Sequence, residues 1–230
     1  MRHVRRGIGR LAPALAASAS LLLALVSAPH SASAQTVGPQ ATSKSVAELV
    51  SWVKSNPAQG SYGSQGAGGR GHFVAVMFAT TAKLELRHVT YRGSGPVMND
   101  LVAGQLPMAV LPLGDVTALH KSGKLRAVAT AGPSRSSFLP DVPTFKEAGF
   151  DMIGQGWYGL YAPAKTPPAM IARINKAVVE ALQTKELKER VATMSLQPIP
   201  TSPSGLAALE KADRDRWGPV VKASGFKPAQ

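Results

Sequence analysis

The feature that most constrains this chain is a glycine-rich run between a short extended segment and an apolar segment of helical composition. The run reads Tyr62-Gly-Ser-Gln-Gly-Ala-Gly-Gly-Arg-Gly-His72. A loop of this kind directs several backbone N–H groups and a helix N-terminus at one place, an arrangement that binds phosphate or carboxylate. The sequence therefore predicts an anion site here. A purely structural turn that needs glycine conformations is the equally supported alternative.

A second turn further along the chain has the same order of strand, glycine turn and helix start. It reads Tyr91-Arg-Gly-Ser-Gly-Pro96. Open α/β sheets bind ligands beyond the carboxyl ends of neighbouring strands, so we expect both turns to face one crevice. Asp100 lies one turn into the second helix and is expected at the rim of the crevice, with simple solvation as the alternative. The predicted ligand-binding residues are Ser64, Gln65, Gly66, Gly68, Gly69, Arg70, His72, Tyr91, Gly93, Ser94 and Asp100.

Segments typical of strands and helices alternate along the chain. Ser45-Val-Ala-Glu48 is a capping box that opens a helix ending at Asn56, and Pro167-Pro168 opens a long C-terminal helix. The alternation predicts an α/β fold with a mainly parallel sheet. The expected strands are 61–62, 84–91, 106–111, 125–130 and 157–161, and the other expected helices are 72–81, 96–103, 115–122, 144–148, 186–193 and 205–222.

The first 34 residues have the pattern of a secretory signal peptide. A basic start carries four arginines, an apolar run extends from Leu11 to Val26, and Ala32-Ser33-Ala34 matches an A-x-A cleavage site. We therefore expect cleavage after Ala34 and a periplasmic protein, with an uncleaved signal anchor as the alternative. Residues 35–41 are predicted to be a polar linker. The arginines are Arg2, Arg5, Arg6 and Arg10.

The composition of the chain limits the classes of ligand and partner that we expect it to bind. Removing four arginines and no acidic residue lowers the formal net charge from +13 to +9, and the chain has no cysteine. A basic exported chain fits an anionic small ligand, although many exported proteins are simply basic. Aromatic residues are only 6% of the chain and do not interleave with a Lys/Arg cluster, so nucleic-acid binding is not expected. After signal cleavage we expect no membrane insertion.

The sequence patterns do not indicate a cofactor site or a catalytic site. The loop contains a G-x-G-x-x-G spacing from Gly66 to Gly71, with Glu85 where a dinucleotide fold places its ribose-binding acid. The preceding strand is very short and polar, however, and the phosphate-binding Gly-Lys-Ser/Thr sequence is missing. H-E-x-x-H, G-x-S-x-G and metal-ligand clusters do not occur either. We expect no enzyme, no metal and no cofactor, and an exported nucleotide-binding enzyme is the weakest alternative.

Several weak motifs occur in one order and together resemble the Bug family, the periplasmic substrate-binding receptors of tripartite tricarboxylate transporters. The resemblance covers about residue 42 to the C-terminus. Arg70 departs from it, because the family's loop is usually rich in serine. Besides the glycine loop, the motifs are His88-Val-x-Tyr91-x-Gly93-x-x-Pro96, Asp100-Leu-x-x-Gly104-Gln105, Gly123-Lys-Leu-Arg126, Pro140-Asp-Val-Pro-Thr144-x-x-Glu147-Ala-Gly149 and Trp157-x-Gly159-Leu-x-Ala-Pro163.

The resemblance implies a type II periplasmic-binding-protein fold with two α/β lobes and a carboxylate held between them. It also implies that the loop from Ser64 to His72 is the second-lobe half of the binding site. About ninety residues of the family's first lobe, including its Pro-Gly-Gly-type loop, have no counterpart. We therefore expect a largely complete second lobe at 42–155, and at 156–230 a returning strand and C-terminal helices of an incomplete first lobe.

Three functions follow from these expectations. The first is a receptor that delivers a small di- or tricarboxylate, or an acidic amino acid, to the membrane components of a tripartite tricarboxylate transporter. The second is a lobe that docks on a partner without ligand, or a non-functional remnant of such a receptor. The third is the exported enzyme. Because the missing strands should cover the apolar face of the long helix, including Ile171 and Leu182, we also expect a mobile C-terminal third.

Overall fold

The computed structural model describes residues 23–25 and 27–227, and side chains from residue 32 onward. The strands are β1 (Leu23–Leu25), β2 (Ser27–Ser31), β3 (Ser33–Val37), β4 (Ser61–Ser64), β5 (Arg87–Thr90), β6 (Met108–Pro112), β7 (Arg126–Thr130), β8 (Gly156–Trp157), β9 (Leu160–Ala162) and β10 (Gln197–Pro200). The helices are α1 (Val46–Ser55), α2 (Arg70–Ala82), α3 (Ser94–Val102), α4 (Leu113–Lys121), α5 (Pro168–Gln183), α6 (Lys185–Ala192) and α7 (Pro203–Ala223).

A five-stranded sheet in the order β5-β4-β6-β3-β7 forms the centre of the larger lobe. β4 runs parallel to both β5 and β6, whereas β3 runs antiparallel to β6 and β7. Two apolar clusters cover the two faces of this sheet, one around Phe78 and Phe145 and the other around Leu101 and Leu111. The α/β class predicted from the sequence is confirmed, but the sheet is mixed rather than mainly parallel, because β3 is inserted antiparallel between β6 and β7.

The smaller lobe has two short sheets. β2 lies between β10 and β8 in one of them, and β1 pairs with β9 in the other; all of these pairs are antiparallel. α5 packs against both β1 and β2, and α7 reaches back to contact α2 of the larger lobe. The second lobe is therefore well formed, while the first consists of short strands and three helices.

The linker predicted at 35–41 is wrong, because Ser33–Val37 forms a strand inside the five-stranded sheet. Ala34 and Gln35 are almost completely buried, and the hydroxyl of Thr36 donates a 3.0 Å hydrogen bond to the carbonyl oxygen of Ala109. Small side chains fit between two flanking strands as well as they fit a cleavage site, and sequence alone does not separate these two uses.

Three other expectations about local structure also differ. Residues 144–148 form turns rather than a helix, although Thr144 and Glu147 exchange capping-type hydrogen bonds of 2.8 and 3.0 Å. The strand expected at 157–161 is split into β8 and β9, and β10 was not anticipated because two prolines lie within it. Ile171 and Leu182 are buried on α5, since residues assigned to the leader supply strands beside that helix.

Among residues 23–25 and 27–227, we find no helix that is both long enough and apolar enough to cross a membrane.

Candidate functional site

Three helices begin at the same edge of the central sheet. α2 follows β4, α3 follows β5 and α4 follows β6, and these three strands are parallel neighbours. Their carboxyl ends therefore meet at one edge, and each helix directs its N-terminus there. Helix N-termini carry unsatisfied N–H donors and the positive end of the helix dipole, so this edge favours anions.

These helix starts lack side-chain caps. Gly69, Gly93 and Pro112 occupy the N-cap positions of α2, α3 and α4, and none of them accepts a capping hydrogen bond. By contrast, Ser45, Thr184 and Ser202 cap α1, α6 and α7 through their hydroxyl groups. No side chain of the N-cap residue thus occupies the backbone donors at these three helix starts; α5, which begins after Pro167, is likewise uncapped.

The two glycine turns predicted to share a crevice do lie side by side. Ser94 Oγ donates a 2.8 Å hydrogen bond to Oε1 of Gln65, and the backbone N–H of Gly93 donates to the carbonyl oxygen of Gln65 at 3.1 Å. Adding a Cβ at Gly66 or at Gly95 would meet no atom within 4 Å. The front of both turns is therefore open enough for a ligand to approach the backbone.

The histidine at the end of the glycine loop has a structural environment. The ring of His72 stacks between His88 and Phe73, with ring centroids 4.2 and 5.1 Å apart, and His88 stacks in turn on Tyr62. Nδ1 of His72 accepts a 3.1 Å hydrogen bond from the N–H of Gly68. Phe226, beyond α7, packs edge-on against His72 and covers Gly68. Gly68 and His72 thus belong to a packed side of the loop.

Arg70 lies between the two lobes. Its guanidinium packs directly against Gly156 and lines a cavity of about 310 Å³ together with Trp157, Asp213 and Trp217. Burial lowers the pKa of the Arg70 guanidinium, and electrostatic interactions with Tyr158 and Asp213 oppose this effect. Arg70 is therefore a contact between the lobes. It lies further along the glycine loop than the open backbone at Gly66.

Ser64, Tyr91 and Asp100 have partners within the larger lobe. Ser64 is fully buried, donates to the carbonyl oxygen of Gly66 at 3.1 Å and lies 2.8 Å from Nε2 of His88. The hydroxyl of Tyr91 donates a 2.7 Å hydrogen bond to Oδ2 of Asp100. Burial, together with this contact, raises the pKa of Tyr91 to about 12. Asp100 therefore orients Tyr91 beside the second turn.

The largest cavity at this edge has a volume of about 750 Å³ and lies between the lobes. Of the sequence-predicted residues, Gln65 lines it. The start of α4 was not among the predicted site residues, although the order of β6 followed directly by α4 indicates it. The lining residues of the smaller lobe were not predicted either. The lining residues are Gln65, Pro112, Leu113, Gly114, Asp115, Tyr158, Val191, Thr193, Met194 and Leu196.

The far wall of this cavity is fixed where α4 meets the end of α6. A Cβ on Gly114 would lie 2.4 Å from the carbonyl oxygen of Met194, so only glycine allows this approach. Thr117 Oγ1 lies 3.0 Å from Oγ of Ser195, a non-glycine residue with a left-handed φ of 52°. These contacts hold the lobes together on one side of the cavity.

The polar groups around the cavity determine which ligands it can hold. Within the described ranges, no cluster of three or more His, Cys, Asp or Glu residues could hold a metal ion. The polar groups at the cavity are backbone N–H groups, the Gln65 amide, the hydroxyl groups of Tyr158 and Thr193, and one carboxylate, Asp115, which can only accept. Such a set can orient a small anion through hydrogen bonds.

Comparisons with known proteins assign this chain to a family. Residues 19–226 match the family described as the tripartite tricarboxylate transporter family receptor. Among related sequences, a UPF0065 protein of Pseudomonas sp. strain P51 is 30% identical over 77% of this chain, and protein BugT of Bordetella pertussis is 28% identical over 82%. The chain spans 54% and 58% of the length of these two relatives.

Solved structures show the same fold. A protein of R. palustris with adipate superposes with a TM-score of 0.82 at 25% identity and covers 92% of this chain and 71% of its own. A structure described as a periplasmic transporter gives 0.79 at 32% identity, covering 87% and 67%. A malate-bound protein of Rhodopseudomonas palustris gives 0.75 at 26% identity, covering 88% and 69%. By the family match over most of its length, this chain belongs to the tripartite tricarboxylate transporter receptor (Bug) family of solute-binding proteins.

Proposed function

We propose that this chain binds a small dicarboxylate in the cavity between the start of α4 and the smaller lobe. The observation that carries the proposal is the convergence of three uncapped helix N-termini, those of α2, α3 and α4, at one sheet edge. N–H groups in the first turn of a helix match carboxylate oxygens, and the open backbone at Gly66 and Gly95 lets a ligand come close. The adipate and malate in two structural relatives support this ligand class.

The same family supports a role in transport. We propose that the chain is exported to the periplasm, directed by the basic and apolar residues of its first 22 positions, and presents its solute to the membrane components of a tripartite tricarboxylate transporter. The hydrogen-bonding groups around the cavity suit holding and releasing a small anion, so we propose a receptor rather than an enzyme.

Calorimetric titration of the full chain with malate and with adipate tests the proposal. Gly66→Asp places a negative charge in open space at the loop, and Gly66→Asn places a neutral side chain of nearly the same shape there. We expect the Asp variant to bind about 5- to 30-fold more weakly than the Asn variant, as repulsion of about 1–2 kcal/mol between nearby charges would give. Equal affinities would contradict a carboxylate site at this loop.

A second candidate is docking on another protein without solute. It is favoured by large apolar side chains that stay exposed on the smaller lobe, where Tyr158 and Leu160 are 56% and 47% accessible. The same titration separates the two candidates. A chain that unfolds cooperatively but takes up no carboxylate would favour docking, whereas measurable binding of malate or adipate would favour the receptor.

A further inference from the structure

We infer that the peptide bond after Ala34 stays intact in the folded protein, and that the leader-like segment from Leu23 to Ala34 is a structural part of both lobes. The segment resembles the end of a secretory signal because it joins an apolar run to Ala32-Ser33-Ala34. In the structure the same residues form three successive strands, β1, β2 and the start of β3.

The cleavage motif lies inside the central sheet. β3 pairs on one side with β6, where Ala34 is opposite Leu111, and on the other with β7, where Ala34 is opposite Thr130. Ser33 is 3% accessible and Ala34 is fully buried. In the folded chain this bond is therefore held in paired, buried backbone and is not accessible to a protease.

Backbone hydrogen bonds tie the same residues to loops on both sides. The carbonyl oxygen of Ala32 accepts from the N–H of Leu113 at 2.9 Å, and that of Ser33 accepts from the N–H of Ala131 at 2.9 Å. Leu113 is the first residue of α4 and lines the proposed ligand cavity. Loss of residues up to 34 would therefore free the start of α4 and remove the first two residues of β3.

The smaller lobe depends on the segment even more. β2 is the middle strand of its sheet and pairs with β10 on one side and β8 on the other, while β1 is the only partner of β9 among the described strands. Removing β1 and β2 leaves β8, β9 and β10 without neighbours and takes away strands that lie beside α5. Unpaired buried backbone groups are costly, so the lobe would not keep this arrangement.

The family match supports the same conclusion from a different direction. It begins at residue 19, well before the A-x-A motif, so the residues just after that point are part of the common domain of these receptors. A cleavage after Ala34 would remove 16 of the matched residues. A leader that is removed would not be expected to align with the domain that it delivers.

The test is to find where the folded protein begins. We would produce the full chain with a C-terminal tag in a Gram-negative host, recover the folded protein, and determine its first residue by intact mass and N-terminal peptide mapping. We expect every folded species to retain residues 23–34, whether or not residues further upstream are removed. A folded, cooperatively melting species that begins at Gln35 would overturn the inference.

Two shortened chains provide the matched comparison. A chain from Leu23 keeps all three strands, and a chain from Gln35 lacks β1, β2 and the first two residues of β3. We expect the longer one to melt as the full chain does and the shorter one to lose its cooperative transition in circular dichroism. Equal melting of the two chains, or equal loss of melting in both, would contradict a structural role for residues 23–34.

Discussion

The hydroxyl of Ser64, at the end of β4, lies 2.8 Å from Nε2 of His88 on the neighbouring strand β5. His88 stacks on His72 at a centroid distance of 4.2 Å, so the glycine loop rests on two neutral imidazoles in contact. Burial and the nearby His72 lower the pKa of His88 to about 4, and burial also lowers the pKa of His72. The backbone of the glycine loop, which carries the proposed ligand donors, thus packs on a pair of uncharged histidines.

This pair predicts that the protein loses stability as the pH falls from about 6.5 to about 4. An unfolded histidine has a pKa of about 6.5, so in this window the unfolded chain binds more protons than the folded one. The contribution is fully present above about pH 6.5. Midpoints of thermal unfolding should therefore stay level from pH 7.5 to about 6.5 and decline from there to pH 5.

His88→Gln is the control for this pH dependence. It keeps a hydrogen-bonding side chain near Ser64 and removes the titrating ring, so its melting midpoint should vary less with pH over the same range. Asp141 and Glu147 have lowered pKa values through hydrogen bonds to His120 and Thr144, and they lose their contribution only in more acidic solution. A wild-type profile that is flat from pH 7.5 to 5 would contradict the account.

Replacing Gln35 with Leu should stabilise the protein. The Gln35 side chain is 1% accessible, and neither its Nε2 nor its Oε1 has a hydrogen-bond partner in the described part of the chain. An unsatisfied buried polar group costs about 1–3 kcal/mol, and an apolar side chain of similar size avoids that cost. Urea unfolding should show the gain, and Gln35→Glu should give a loss instead. A lower unfolding free energy for the Leu variant would contradict the burial of this residue in β3.

Gly71→Ala should destabilise the protein while Gly66→Ala leaves it nearly unchanged. A Cβ on Gly71 would lie 2.6 Å from the carbonyl oxygen of Val110, where α2 crosses β6, whereas one on Gly66 meets nothing. Overpacking against a rigid backbone costs about 1–3 kcal/mol, which exceeds the gain in helix propensity of about 1 kcal/mol. Paired urea denaturation curves measure the difference, and two equal curves would be inconsistent with this close approach.

Asp115→Asn should tighten dicarboxylate binding and slightly weaken the fold. Asp115 lines the cavity in the first turn of α4, so it repels an anionic ligand while it favours the helix dipole. Removing about 1 kcal/mol of repulsion raises malate affinity about five-fold, and losing the dipole interaction costs about 0.3–1 kcal/mol of stability. Calorimetric titration should therefore show tighter malate binding, and thermal melting of the same preparation should show a lower midpoint. Unchanged affinity would place the ligand away from α4.

Much of the fold could be predicted from local signals. Ser45 caps α1 through a 3.2 Å hydrogen bond from the N–H of Glu48, and Pro168 opens α5, as the sequence pattern indicates. The first three strands could not be predicted, because small residues such as Ala34 suit both a cleavage site and the inside of a sheet. Pairing with β6 and β7, which are distant in sequence, decides between the two.

The candidate site was only partly predictable for a similar reason. Parallel neighbouring strands bring the turns at Gln65 and Ser94 together, and the order of the elements alone indicates this. The far wall of the cavity depends on Met194 and Tyr158, which come close only when the two lobes pack. Phe226 likewise covers Gly68 from more than 150 residues away in sequence, so no local pattern reveals which side of the loop is closed.

Thermal melting of the full chain with and without malate tests the receptor account most directly. Ligand at about 100 times its dissociation constant adds about 2.7 kcal/mol to the stability of the folded state, so the midpoint should rise with malate and rise further as its concentration increases. Inorganic chloride at equal ionic strength serves as the control and should give no such rise. A cooperative melt whose midpoint is the same in millimolar malate or adipate and in chloride would contradict dicarboxylate binding by this chain.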